Sequence, residues 1–152
     1  MITGARYVHT NLIARDWRRL AAFYESLFGC VPVPPERDYS GAALEAGTGV
    51  PCATLRGVHL RLPGYENDSG PTLEIYSYTP EESGPEPRVN RPGFGHIAFE
   101  VAAVAAAQRE VLVAGGTAVG EIVTLTTATG AHVTWCYVTD PEGNIIELQS
   151  WA

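Results

Sequence analysis

The fold is decided by YVHTNL at residues 7–12, which occurs again as FGHIAF at residues 94–99. Each stretch is short and mostly apolar, which is typical of a β-strand, and each places one histidine at its third position. A second pair of stretches, TLEIYSY at 72–78 and NIIELQ at 144–149, carries one glutamate apiece. The chain therefore repeats itself, with each half opening on a histidine strand and closing on a glutamate strand.

A helical pattern follows each histidine strand. The first helix is predicted to begin after Asp16, a good N-cap residue, and to stop at Gly29; the second begins at about Val101. Further strands are predicted at about 53–62 and 132–138, before the glutamate strands. Each half is thus a βαβββ unit. The sequence predicts an α+β fold in which two tandem βαβββ modules form a curved mixed sheet that encloses a metal site.

The two modules are joined by a polar connection. Residues 79–87 are rich in Pro, Glu and Ser and cannot belong to a core, so we expect an exposed linker over about 80–92. Module one then covers about 5–79 and module two about 93–151. At 152 residues the chain fits one compact domain made of these two modules.

Composition narrows the class of protein. The chain is 45% hydrophobic and 18% charged, which is typical of a globular protein, and it has no apolar run of membrane-spanning length. A formal charge of −7 disfavours nucleic acid as a partner. The N-terminus does not resemble a signal peptide, and the 3 cysteines show neither an even number nor CxxC spacing. We therefore expect a cytoplasmic protein that acts on a small molecule.

Four ionisable residues stand among apolar neighbours: His9, Glu74, His96 and Glu147. Burying such a residue is costly unless it is paired or coordinates a metal. Two imidazoles and two carboxylates suit one divalent cation, so we expect all four to meet at a single site. Strand side chains alternate between faces, and Tyr76 shares the face of Glu74, which makes it the best candidate for a wall of the substrate pocket.

Other polar residues are interpreted more simply. His59 and His132 have no histidine partner in the repeat and are expected to be structural groups. Glu45 could act as a second base, but its Gly-rich segment is ambiguous and we assign it no role; residues 31–51 as a whole resist interpretation. Strand alternation leaves open which further residues line the cavity, the candidates being Arg56, Arg61, Tyr78, Trp135, Tyr137 and Trp151.

Together these motifs resemble the vicinal oxygen chelate superfamily, which includes glyoxalase I, methylmalonyl-CoA epimerase, extradiol dioxygenases and bleomycin resistance proteins. The likeness spans nearly the whole chain. It rests on the His9 strand with its helix ending in LFG at 27–29, on LEI at 73–75, on GHIAFEV at 95–101 and on DPEGNIIEL at 140–148. The resemblance implies that His9, Glu74, His96 and Glu147 are metal ligands and that the protein is a homodimer.

The chemistry implied is that of a glyoxalase I-like lyase, isomerase or epimerase. One divalent ion would polarise a chelated carbonyl, so that a proton on the adjacent carbon can be removed through an enediolate intermediate. Glu74 and Glu147 are the expected catalytic bases. The donor set does not distinguish Ni, Co, Zn, Mn or Fe(II).

Two other functions stay open. An extradiol-type ring-cleaving dioxygenase needs two histidines and one carboxylate, and a carboxylate at Glu74 disfavours it. A bleomycin-resistance-like binding protein would suit the acidic surface but does not explain the four ligands. Substrate identity, and whether the metal lies within one chain or across a dimer, also stay open.

Overall fold

A computed structural model describes residues 2–66 and 70–152 of the chain. The polypeptide divides into two compact units, Met1–Ser83 and Gly84–Ala152. Each unit has its own sheet and its own core.

The first unit is a four-stranded mixed sheet with the order β1-β4-β3-β2. β1 runs parallel to β4, and the other neighbours are antiparallel. In chain order the elements are β1 (His9–Ile13), α1 (Trp17–Phe28), β2 (Val31–Ser40), α2 (Ala42–Thr48), β3 (Thr54–Arg61) and β4 (Thr72–Thr79).

The second unit repeats this plan. Its sheet has the order β5-β9-β8-β6, with β7 also paired to β8, and β5 runs parallel to β9. The elements are β5 (Ile97–Glu100), α3 (Val104–Val113), β6 (Thr117–Ala118), β7 (Val123–Thr126), β8 (His132–Thr139) and β9 (Ile145–Trp151). The outer strand, which is one continuous β2 in the first unit, is divided here into β6 and β7. The predicted α+β class and the repeated order of elements are confirmed.

Helix α1 keeps the predicted limits. The Asp16 side chain accepts a hydrogen bond from the Arg19 backbone N–H at 3.1 Å, which satisfies a donor that the first turn leaves free. Gly29 ends the helix in the left-handed conformation at φ 68°, a region where glycine carries no steric penalty.

Helix α3 begins later than predicted, at Val104 instead of about Val101. The Val101 N–H donates to the carbonyl of Gln149 at 2.8 Å, so this residue still belongs to the β5–β9 pairing. Chain direction changes only after this bond, and Ala103, in an extended conformation, takes the N-cap position.

Strand alternation separates a core face from a polar face in each unit. In β4, Leu73 and Ile75 are 1% and 0% exposed and belong to the core, as α1 packs on β3 and β4. In β9, Ile146 and Leu148 do the same beneath α3. The glutamates at 74 and 147 lie at the intervening positions and project from the opposite face of their sheets.

The linker predicted between the modules lies at the surface. Residues 79–96 are exposed throughout, which includes the stretch expected to link the modules. Cys30 and Cys136 are buried and Cys52 is exposed; all three thiols are free. Among the described residues, no helix combines the length and the apolar character that crossing a membrane would require.

Candidate functional site

Glu74 is at the centre of what we call the amino-terminal cluster, formed by His9, Asn11, His59, Glu74 and Tyr76. Although its side chain carries a carboxylate, Glu74 is only 7% exposed. Its Oε1 lies 3.3 Å from Nδ1 of His9 and 3.0 Å from Nε2 of His59. Its Oε2 accepts a hydrogen bond from the Asn11 amide at 3.4 Å. Both carboxylate oxygens are therefore in contact with polar groups, as burial requires.

The sheet places these groups around Glu74 from both sides. On the parallel side, Asn11 of β1 is the register partner of Glu74, and His9 lies two residues earlier on the same face. On the antiparallel side, His59 of β3 is the register partner. Neighbouring strands are about 4.8 Å apart, so side chains on one face at the same register come into contact.

Two ring groups of this cluster, His59 and Tyr76, are held in their neutral forms. Burial lowers the pKa of His59, and the charges of Arg37 and His9 lower it further, against the opposing effect of Glu74. Burial also raises the pKa of Tyr76 to about 12, and the Glu74 carboxylate adds to that rise. The Tyr76 hydroxyl lies 2.5 Å from Nε2 of His59. His59 therefore presents a neutral imidazole between a phenol and a carboxylate.

The carboxy-terminal cluster consists of His96, Tyr137 and Glu147. Nε2 of His96 lies 3.0 Å from Oε2 of Glu147, and the Glu147 side chain is 18% exposed. Tyr137 of β8 is the register partner of Glu147, and its ring centroid lies 5.1 Å from that of His96. Burial raises the pKa of Tyr137, with a further contribution from Glu147, so the phenol keeps its proton at neutral pH.

The two clusters correspond position by position. Glu74 and Glu147 occupy the same register in their sheets, opposite Asn11 of β1 and Ala98 of β5 respectively. A histidine precedes each of those partners by two residues. On the other side, where the first unit has His59, the second has Tyr137. The duplication seen in the sequence thus extends to side-chain contacts within each unit.

Each histidine–glutamate contact has the spacing of two ligands on one metal. Ligand atoms bound about 2.0–2.2 Å from a cation, at right angles to each other, are roughly 3 Å apart. The 3.3 Å contact of His9 with Glu74 and the 3.0 Å contact of His96 with Glu147 are close to that value. Within residues 2–66 and 70–152, no group of three or more His, Cys, Asp or Glu side chains is arranged as a metal site. The four predicted ligands are present as two pairs, one in each unit.

A cleft adjoins the carboxy-terminal cluster. It has a volume of about 250 Å³. Six side chains from the same face of β8 and β9 line it: Val133, Trp135, Tyr137, Glu147, Gln149 and Trp151.

Three other residues considered in the sequence have the following positions. The Tyr76 hydroxyl lies against His59. His132 is at the exposed start of β8, with its Nδ1 3.1 Å from the Thr126 hydroxyl. Glu45 lies in α2, where its carbonyl accepts the N–H of Gly49. None of the contacts described for Glu45 involves either cluster.

Sequence reasoning missed the contact of His59 with Glu74. The interpretation of His59 as a structural group rested on the absence of a histidine partner in the repeat. The signal that could have found it is register: an antiparallel pairing of β3 with β4 brings one residue of 54–61 opposite Glu74. The sequence does not fix that register, because the connection at 62–71 is too long to be a two-residue hairpin turn, which would set the pairing by itself.

One protein family matches most of the chain, and solved structures share its fold. The family described as the Glyoxalase/Bleomycin resistance protein/Dioxygenase superfamily matches residues 6–148. A glyoxalase family protein from Bacillus cereus is 17% identical with a TM-score of 0.82, and the match covers 99% of each chain.

Two further solved structures show the same fold. A glyoxylase/bleomycin resistance protein/dioxygenase domain from Frankia is 15% identical with a TM-score of 0.60, over 100% of both chains. A virulence protein from Salmonella typhimurium is 23% identical with a TM-score of 0.55, again over 100% of both chains. Among curated proteins, none matches this chain.

Proposed function

The chain belongs to the glyoxalase/bleomycin resistance protein/dioxygenase superfamily, and from that membership we propose that it is a metal-dependent isomerase, epimerase or lyase of the glyoxalase type. Its substrate would be a small molecule with a proton next to a carbonyl group. The reaction would proceed through an enediolate.

The observation that carries this proposal is the repeated contact of a histidine with a glutamate. His9 meets Glu74 and His96 meets Glu147 at equivalent positions of two sheets. We propose that these four side chains hold one divalent cation. With neutral imidazoles, the two carboxylates balance the two positive charges of the ion. Such an ion, when bound, acts as a Lewis acid that polarises the substrate carbonyl.

We assign proton abstraction to Glu147. A base must reach the substrate, and the Glu147 side chain is 18% exposed and lies in the wall of the cleft. Glu74 is less accessible, at 9% exposure of its side chain, and it is in contact with two imidazoles. We therefore propose that Glu74 chiefly holds the ion and acts as the second carboxylate in proton exchange.

The experiment that tests the proposal combines metal analysis with isotope exchange. The purified protein should contain one divalent metal per chain. In heavy water it should incorporate deuterium at the carbon next to a carbonyl, in a panel of 2-hydroxy acids, thioesters and hemithioacetals of 2-oxoaldehydes. Glu147→Gln and Glu74→Gln should lose exchange and bound metal, while Glu121→Gln, at an exposed loop position, should retain both.

Other outcomes would point to other members of the superfamily. Ferrous-dependent oxygen consumption with a catechol, without deuterium exchange, would indicate a ring-cleaving dioxygenase. Tight binding of a small molecule that a chelator does not disturb would indicate a sequestering protein. We also propose a homodimer, in keeping with the family; sedimentation equilibrium giving the mass of a single chain would contradict it.

A further inference from the structure

Resting on the proposed function, we infer that the substrate carries a flat aromatic ring within one or two bonds of its reacting carbon. The aromatic cleft, by which we mean the six-residue cleft on β8 and β9, is the place where this ring binds. The inference concerns the class of substrate, and the six residues that line the cleft all belong to the second unit.

The aromatic cleft is built by three successive cross-strand pairs. Tyr137 is paired with Glu147, Trp135 with Gln149, and Val133 with Trp151. Because alternate residues of a strand project from one face, all six side chains stand on the same side of the sheet. This face therefore carries one carboxylate at one end and an apolar, aromatic surface along the rest of its length.

Two rings form a corner in the cleft. The Trp135 and Tyr137 rings are 4.9 Å apart between centroids and are inclined at 71° to each other. A planar ring can stack on one of them while its edge meets the face of the other. Offset-stacked and edge-to-face contacts are the two arrangements that aromatic pairs prefer. A saturated ring of the same size would fill the space without either contact.

The dimensions of the cleft fix where the ring stands relative to the base. Gln149 follows Glu147 by two residues on β9, so the two positions are roughly 7 Å apart along the strand. This distance suits a carbonyl carbon at Glu147 with its attached ring beside Trp135. The cleft becomes more open beyond that point, where Trp151 is 50% exposed. Its volume of about 250 Å³ suits a small ligand.

The first unit shows what fills the equivalent space there. Gly57 and Tyr76 form the register pair that corresponds to Trp135 and Gln149. A Cβ atom on Gly57 would collide with the Tyr76 ring and with the carbonyl of Ile75, so that ring lies directly over the glycine. In the second unit an amide side chain stands where the first has the tyrosine. Trp135 stands where the first unit has Gly57, so each unit carries one aromatic ring at this level, and in the second unit that ring belongs to β8.

Calorimetric titration of the Mn²⁺-loaded full-length protein tests the inference. The probes are phenylglyoxylate, cyclohexylglyoxylate and pyruvate, which share a 2-oxo acid group and differ in the group attached to it. We expect phenylglyoxylate to bind at least about fivefold more tightly than cyclohexylglyoxylate, and more tightly still than pyruvate. Equal affinity for the two ring compounds, or no binding of phenylglyoxylate, would overturn the inference.

Substitutions in the aromatic cleft test whether the phenyl ring of phenylglyoxylate binds there. Trp135→Leu should remove the preference for phenylglyoxylate over cyclohexylglyoxylate. Trp151→Leu, at a half-exposed position of the cleft, should reduce that preference, and it provides a second test if the Trp135 variant does not fold. Tyr65→Leu, an exposed aromatic residue of the first unit at 54% exposure, should change nothing. Retention of the full preference in Trp151→Leu and in a folded Trp135→Leu would overturn the assignment.

Failure of this inference is distinguishable from failure of the proposed function. A protein that exchanges deuterium but does not prefer the aromatic probe has the proposed chemistry with another substrate class. A protein that prefers the aromatic probe but performs no exchange has the cleft without that chemistry.

Discussion

His59 and Glu74 lie opposite each other on neighbouring antiparallel strands, and their side chains meet with 3.0 Å between Nε2 and Oε1. The same carboxylate oxygen lies 3.3 Å from His9 on the other side. Glu74 is therefore held between two imidazoles, of which only His9 has a counterpart histidine in the second unit. His59 is positioned to orient the carboxylate, and this role makes it a positioning residue in the sense that it acts through Glu74.

Replacement of His59 should weaken metal binding without abolishing it. His59→Ala leaves Glu74 in contact with His9 and Asn11 but removes the group that fixes its orientation from β3. Loss of such an outer partner typically costs about 10- to 100-fold in metal affinity. Competition with a chromogenic chelator measures this change. His132→Ala is the matched control, since His132 is exposed on the start of β8; equal affinity in both variants would contradict the role of His59.

Metal should stabilise the folded protein through the proposed ligands. A metal that binds only the native state at 100 times its dissociation constant raises the free energy of unfolding by about 2.7 kcal/mol. Urea denaturation with Ni²⁺, Co²⁺, Zn²⁺, Mn²⁺ and, without oxygen, Fe²⁺ in turn, and after chelator treatment, measures the effect. Glu147→Gln should abolish most of the gain. If none of these ions changes the denaturation midpoint, the four residues do not form a metal site.

Substitution of Gly57 should disturb the amino-terminal cluster. A methyl group at this position would collide with the Ile75 carbonyl and the Tyr76 ring, and overpacking of this kind costs about 1–3 kcal/mol. Gly57→Ala should lower the urea midpoint accordingly. Gly47→Ala is the control: it lies in α2 with open space around it, so it should be neutral or stabilise by about 0.5–1 kcal/mol. Similar midpoints for the two variants would show that the Tyr76 ring does not lie over Gly57.

The buried thiol of Cys30 should make stability fall at alkaline pH. Burial raises its pKa from 9.0 to about 12, and the nearby Glu25 adds to the rise. Above pH 9 the unfolded thiol loses its proton while the native thiol keeps it, so the unfolded state binds fewer protons and the free energy of unfolding decreases as pH rises. The loss between pH 9 and pH 10 should be about 1 kcal/mol.

Cysteine variants isolate this effect. Cys30→Ala should flatten the pH dependence of the urea midpoint between pH 9 and pH 10. Cys52→Ala, which removes an exposed thiol, should keep the slope of the unsubstituted protein. An unchanged slope in Cys30→Ala would mean that another group governs alkaline stability.

Much of the fold could be predicted because local signals agree with the repeat. Helix α1 has both limits marked in the sequence, by Asp16 and Gly29, and those residues form the caps observed. Alternation within TLEIYSY and NIIELQ correctly places the glutamates on the face opposite the core residues. Where such signals are missing, prediction failed: no cap residue marks the start of α3, and its first turn was placed three residues early.

Features that depend on contacts between distant parts of the chain could not be predicted from local sequence patterns. The segment 31–51 forms β2 and α2, yet it contains three prolines before residue 40 and no clear alternation, and the pairing of β2 with β3 contains a bulge between Val33 and Arg37. The partners of Glu74 likewise depend on strand register. Side-chain alternation divides the residues of one strand between two faces. It places His59 beside Glu74, or Trp135 beside Gln149, only when the neighbouring strand and its register are known.

The parallel pairing of β1 with β4, and of β5 with β9, has a consequence for assembly. The first and last strands of each unit can pair only after the chain between them has folded back, because a parallel pair cannot form through a tight turn. His9 and Glu74 belong to β1 and β4, while Glu147 belongs to β9 and His96 immediately precedes β5. Each of these contacts therefore links the two ends of its unit, and binding of the one proposed ion would report that both units have reached their native topology.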